Sequence, residues 1–191
     1  MNPTLSISVL AHPKREEFFP YLAERLNTTL FSVEDGRGLM KNADRAWRMY
    51  DPACDWHLVV EDDALVCLDF HARIIPVLRH AMSFNLRAVN LYYGALPGEK
   101  QAEEGRIAGF VVRPSLNWGV GICLRTELIN EALDFVGSLP GAKMFDASLS
   151  QFLISRGAPT YYPIPSLLDH RHGESIIGGD PERKAFAFID R

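Results

Sequence analysis

The sequence predicts an α/β fold, a single domain whose mostly parallel, Rossmann-like sheet is flanked by helices. Strand and helix patterns alternate three times within residues 5–94, the order that builds a parallel sheet covered on its faces. The strand patterns are short apolar runs, distinct from the wider stripes of the helices between them. Three of them lead into polar segments, "AHPKR", "EDGRG" and "EDDA". Ligands of such sheets bind beyond the carboxyl ends of the strands, so these three segments are expected to meet along one rim.

The elements follow in order. "LSISVLAH" (5–12) alternates small and β-branched apolar residues and reads as a buried first strand. "PKREEFFPYLAERL" (13–26) carries Phe18, Tyr21, Leu22 and Leu26 at helical spacing, with Pro20 either in its first turn or kinking it. A short strand "TLFSV" (29–33) and a turn "EDGRG" (34–38) precede a helix over 39–51, whose inner face is Leu39, Ala43, Ala46, Trp47 and Tyr50. "WHLVV" (56–60) is a strand running into Glu61, Asp62 and Asp63; a helix over 70–82 and a strand over 87–94 complete the first half.

The second half is less regular. A charged, glycine-bounded loop spans 98–106, and a strand-rich stretch over 107–125 is interrupted by Pro114 and "NWG". Helices are expected over 126–137, with Thr126 as N-cap, and over 144–157, ended by Gly157. A strand and a glycine-rich tail fill 160–180.

Composition narrows the function classes. At 191 residues, 47% hydrophobic and 23% charged, the chain suits one compact core. No apolar run reaches the roughly 18 residues of a membrane helix, and the first residues do not read as a secretory signal. Three widely spaced cysteines fit reduced thiols in a cytoplasm better than a disulfide scaffold. A net charge of -4 argues against gripping a long nucleic acid by its phosphates, though a local basic groove is compatible with it.

Four stretches carry chemistry. Carboxylates crowded at a strand end repel unless a cation neutralises them, and hard oxygen ligands favour Mg²⁺, Mn²⁺ or Ca²⁺. In extended backbone Glu61 and Asp63 would face one side and Asp62 the other; the bland alternative is a solvated loop whose acids pair with arginine. In "LLDHRHGESIIGG", His170 and His172 share a side and could complete a metal shell, while Ser175 and the glycines suit a backbone that approaches phosphate. Two surface histidines and a loose tail are the alternative there. Trp118, beside Gly119, either stacks on a sugar or packs in the core. Asp146 either supports the start of a helix or acts as a general base.

Taken together, these residues resemble a nucleotide-sugar-dependent glycosyltransferase of the GT-A fold, the type found among bacterial and phage enzymes. The resemblance runs from about residue 5 to 180: the basic loop His12–Arg15, Asp35, "NADRAW", "EDDA" in place of an Asp-x-Asp element, the glycine-flanked Trp118, the helix-starting Asp146 and "PSLLDH". It implies a nucleotide-binding half over 5–94 and a sugar and acceptor half over 95–191. It further implies Mn²⁺ or Mg²⁺ held by Asp63, Glu61 and His170, with His172 as runner-up. Arg15, Asp35 and Arg45 would line the nucleotide pocket, Asp62 or Glu61 would reach the ribose or the sugar, and Trp118, Gly119 and Ser175 would complete the donor site. Asp146 would take the proton of an acceptor hydroxyl, on a glycan or on a modified base in DNA, in the cytoplasm of a bacterium or a phage-infected cell. Two competing expectations are a metal-dependent nucleotidyltransferase or phosphohydrolase, and a nucleotide-sugar-binding module without turnover.

Overall fold

The structure, a computed structural model, describes residues 2–94, 109–171 and 184–189. Among the described residues seven strands form the main sheet: β1 (Leu5–Ala11), β2 (Phe31–Val33), β3 (Trp56–Glu61), β5 (Ala88–Asn90), β6 (Phe110–Arg113), β7 (Gly121–Arg125) and β8 (Thr160–Pro163). Their order is β2-β1-β3-β7-β5-β8-β6. Strands β1, β2, β3, β5 and β8 run one way, and β6 and β7 run against them. Strand β7, from the second half of the chain, is thus inserted between β3 and β5 of the first half. A separate two-stranded ribbon pairs β4 (Ala64–Val66) with β9 (Leu168–His170).

Alternation along the strands sorts two cores. On one face Ile7, Val9, Trp56, Leu58 and Val60 pack with Leu22 and Leu26 of α1 (Phe19–Leu26) and with Ile74 and Leu78 of α3 (Phe70–Ser83). On the other, Val59, Ile122 and Leu124 pack under α2 (Leu39–Arg48), α4 (Thr126–Ser138) and α5 (Phe145–Ser155), through Ala43, Ala46, Trp47, Ile129, Leu133 and Phe145. This second face also buries a polar cluster. His57 meets Ser6 Oγ through Nδ1 at 2.9 Å and Ser8 Oγ through Nε2 at 3.1 Å, while Ser8 donates to the Ala46 carbonyl at 2.9 Å. Burial holds the imidazole down at about 4.

Several boundaries differ from the sequence reading. The helix expected over 13–26 divides into a 3₁₀ segment, Pro13–Phe18, and α1. Pro20 occupies the first turn of α1, where a missing N–H costs nothing, and Arg15 leaves helical geometry at φ -120, ψ 21. That kink lets the Arg15 side chain reach back to the sheet. Thr126 is the first helical residue of α4 and not its cap: Arg125 is the capping residue, and the Thr126 hydroxyl donates to the Cys54 carbonyl at 2.6 Å. Gly157 does end α5, at φ 57, with Gly157 N–H bonded to the Ile154 carbonyl and Ala158 N–H to that of Leu153. The strands expected over 29–33 and 87–94 shorten to β2 and β5. Cys67 and Cys123 are buried thiols and Cys54 is half-buried. Among the described residues no helix is long and apolar enough to cross a membrane.

Candidate active site

Because Val59 faces the α2/α5 layer, the period of two along β3 sends Glu61 to the same side. There a cavity of about 290 Å³ opens at the carboxyl ends of β1 and β3. Much of its lining is apolar: Leu10, Val59 and Ile122 from the sheet, Val120 just before β7, Leu39, Ala43 and Trp47 from α2, and Met144 and Phe145 from the start of α5. The rest of its lining is polar or ionic: His12, Arg15, Glu34, Glu61, Asp62, Asp63, Asp146 and His170.

The three acids do not alternate as extended backbone would place them. Strand β3 ends at Glu61, Asp62 and Asp63 form a turn, and β4 begins at Ala64, so all three reach one cavity. The Asp62 carboxylate accepts the His12 backbone N–H at 2.5 Å and Arg15 Nη1 at 2.8 Å. The same Nη1 lies 2.6 Å from Asp63 Oδ2, which His170 Nε2 approaches to 3.2 Å. The ribbon explains how a residue so distant in sequence arrives there: Ala64 pairs with His170, and Arg171 N–H donates to the Asp63 carbonyl at 2.8 Å. Arg171 then stacks over Phe18, 4.2 Å from its ring centroid, tying the ribbon to the segment that bears Arg15.

The same burial acts differently on each acid. Desolvation pushes Glu61 up to about 8, and the charges of Asp63, Asp146 and Asp62 add to it against the opposing pull of Arg15. Burial also raises Asp62, with the Arg15 and His12 hydrogen bonds working against the rise. Burial works against the Asp63 carboxylate too, but the bond and charge of His170 and the Arg15 guanidinium outweigh it and hold the group below the ordinary value. The turn therefore sets an Asp63 carboxyl held low beside a Glu61 carboxyl pushed up.

Gly119 makes the close approach of Glu61 and Asp146 feasible. A Cβ built there would lie 2.6 Å from Glu61 Oε1 and 3.6 Å from Asp146 Cβ. The preceding Trp118 sits at φ 67, a region that a bulky residue enters only under strain. Asn90 holds it there, donating from Nδ2 to the Asn117 and Trp118 carbonyls at 2.7 and 2.9 Å. Trp118 packs against the core beside Gly94 and does not line the cavity. Asp146 is in the first turn of α5, capped from Met144, with Oδ1 accepting the Ala147 N–H.

Asp35 and Arg45 are together but outside the cavity lining. Arg45 Nη1 bonds Asp35 at 2.8 Å, and its other nitrogens bond Ser32, Asn42 and the Val33 carbonyl, so the guanidinium staples the end of β2 to α2. The Arg37 and Arg45 hydrogen bonds hold Asp35 far below the usual carboxylate range. Glu34 faces the cavity instead; its Oε1 accepts the Gly36 and Gly38 N–H groups at 2.8 and 2.9 Å and so shapes the entrance to α2. Sequence reasoning chose the neighbouring acid and passed over Glu34, and it assigned Trp47 and Phe145 to no site. Trp47 carried the only signal, its place on the inner stripe of α2. Ser175 and His172 lie outside the described residues, as does the charged loop over 98–106.

The donor set bears on a metal ion. Among the described residues no group of three or more His, Cys, Asp and Glu side chains is arranged to hold one alone. Asp63 is 7% exposed, and its Oδ1 is buried without a hydrogen-bond partner; His170 Nδ1 is likewise unpartnered. An unpartnered carboxylate oxygen lining a ligand-sized cavity fits a partial shell of the kind a hard divalent cation completes with substrate phosphates.

No protein-family model matches the chain, and no curated protein sequence matches it. Among solved structures, a glycosyltransferase involved in the glycosylation of the major capsid of PBCV-1 superposes with a TM-score of 0.50 at 10% identity, over 88% of this chain and 95% of that one. The fold is GT-A-like. The CMP:2-keto-3-deoxy-manno-octonic acid synthetase complexed with CTP gives a TM-score of 0.47 at 11% identity, covering 83% of this chain and 88% of that one. In this GT-A-like frame the cavity lies at the carboxyl ends of β1 and β3, where α/β sheets take their ligands.

Proposed function

We propose that the chain is a metal-dependent glycosyltransferase that moves a sugar from a nucleotide diphosphate sugar to an acceptor hydroxyl. The observation that carries this reading is the convergence of the Glu61-Asp62-Asp63 turn, His170 and Asp146 on one cavity, with a buried Asp63 oxygen left unpartnered. Asp63 and His170 would hold Mn²⁺ or Mg²⁺. Such an ion, when bound, supplies Lewis-acid stabilisation of the charge that develops on a departing diphosphate.

The chain's own residues would do the rest. Glu61, its carboxyl pushed up to about 8 by burial, would be a poorer cation ligand than Asp63 and a better hydrogen-bond donor, so it suits a sugar hydroxyl better than the metal. Asp146, across Gly119 from Glu61, would accept the proton of the acceptor hydroxyl. The apolar wall of α2 and α5 would exclude water from the bond that breaks, which favours transfer over hydrolysis of the donor.

A panel of sugar nucleotides incubated with Mn²⁺, and again with a chelator, tests the proposal. Metal-dependent release of nucleoside diphosphate is expected. Consumption indifferent to chelation would overturn the metal assignment, and a sugar 1-phosphate released in place of nucleoside diphosphate, or pyrophosphate released from a nucleoside triphosphate and a sugar phosphate, would convert the reading to nucleotidyl transfer.

A further inference from the structure

We propose that Arg15 is a resident counter-ion of the acid turn, which a divalent cation must displace and which a nucleoside diphosphate then receives. The inference rests on the metal-site reading above and adds to it an order of events. Arg15 Nη1 lies 2.8 Å from Asp62 Oδ1 and 2.6 Å from Asp63 Oδ2, with all three side chains largely withdrawn from water. One nitrogen thus sits between two carboxylates, in the place where a cation bridging them would sit. Asp62 is held in position independently by the His12 N–H, so the pair of acids is set by the backbone and not by Arg15 alone.

A cation bound to Asp63 would come within a few ångströms of that guanidinium. Two positive groups at such a distance in a half-dry site repel strongly, so an ion taking the unpartnered Asp63 Oδ1 drives the guanidinium from Oδ2. The ion enters at the cost of an ion pair already made, so its affinity in the absence of nucleotide is held down.

A diphosphate changes the balance because it brings negative charge for both cations at once. A guanidinium released from a carboxylate matches the geometry of phosphate oxygens. The non-helical backbone at Arg15 and the 3₁₀ segment around it give the side chain a base that is not locked into a helix. Metal and nucleoside diphosphate therefore bind as a coupled pair, each raising the affinity of the other. Part of the site's negative charge is neutralised between turnovers, and the site does not collect metal without its donor.

Titration of Mn²⁺ followed by the electron paramagnetic resonance of the free ion reads this directly, without turnover. The proteins compared are wild type, Arg15→Gln, Arg15→Lys and Lys14→Gln, each with Mn²⁺ alone and with UDP, GDP or ADP added. Arg15→Gln should bind Mn²⁺ alone about tenfold more tightly than wild type, and its gain from a nucleoside diphosphate should shrink by a similar factor. Lys14→Gln removes a charge from the same loop without touching the bridge and should leave Mn²⁺ affinity within about twofold of wild type. Should Arg15→Gln fail to fold, Arg15→Lys must still show tighter Mn²⁺ binding than wild type, because an ammonium fits between the two carboxylates less well. If the Arg15 variants bind Mn²⁺ as weakly as wild type while nucleoside diphosphate strengthens binding in all of them, the exchange is wrong and the metal site stands. If no protein binds Mn²⁺ under any condition, the metal site fails and the exchange with it.

Discussion

Replacing Glu61 with glutamine isolates the carboxyl that the cavity keeps protonated. Burial, with Asp63, Asp146 and Asp62 adding to it, raises Glu61 to about 8 from an ordinary 4.5. The unfolded chain releases this proton near pH 4.5, whereas the folded chain keeps it until about pH 8. Between those values the folded state binds more protons, so this group makes stability fall as pH rises through the window. Carried in full to pH 7, the shift costs about 3 kcal/mol. Glu61 keeps part of its surface open to the cavity, and water there screens the charge, which roughly halves the figure. Glu61→Gln has the same shape and no proton to lose. In the absence of divalent cation it should stabilise the protein by about 1–2 kcal/mol near pH 7.5, and by no more than about 0.5 kcal/mol near pH 4.5. Urea unfolding of both proteins at the two pH values measures the difference. An equal gap at both would show that Glu61 does not titrate between them, and the assignment of a neutral donor at the sugar would fall with it.

Three further outcomes are expected. His57 is held at about 4 by burial while its unfolded value is 6.5, so the unfolded chain gains a proton first as pH falls. About 2 kcal/mol of stability should be lost by about pH 5, and His57→Asn, though less stable overall, should lose less over the same interval in urea melts. Gly119→Ala places a methyl 2.6 Å from Glu61 Oε1; donor turnover should fall at least about tenfold while urea melts show a loss of only about 1–2 kcal/mol, and a variant with normal turnover would show that the Glu61 position is not needed. Asp146→Asn should reduce transfer by about two orders of magnitude with calorimetric affinity for nucleoside diphosphate retained. Transfer at the normal rate would return Asp146 to the role of a helix-starting acid.

Much of the fold was legible in residue order because the signals are local. The apolar runs at 5–11 and 56–61, the stripe Ala43, Ala46, Trp47 and the glycine at 157 specify strand, helix and helix end from neighbours within a turn or two. Thr126 shows where local reasoning fails. Its hydroxyl had a distant carbonyl available, at Cys54, and the cap preference lost to it. Alternation failed at Asp62 for a similar reason: the pairing of Ala64 with His170 turns the chain after Glu61, and nothing near residue 62 encodes that partner.

The sequence by itself determined that acids end a central strand, that a helix starts near Asp146, and that strands alternate with helices, since each depends only on residue types at short separation. Tertiary structure alone decided which charges meet. Arg15 reaches Asp62 and Asp63 across 47 and 48 residues, and His170 arrives through a ribbon. Arg45, with equal chemistry, is spent on Asp35. Coulomb interactions depend on distance through space and on the water removed between the groups, and neither quantity exists until the chain has folded.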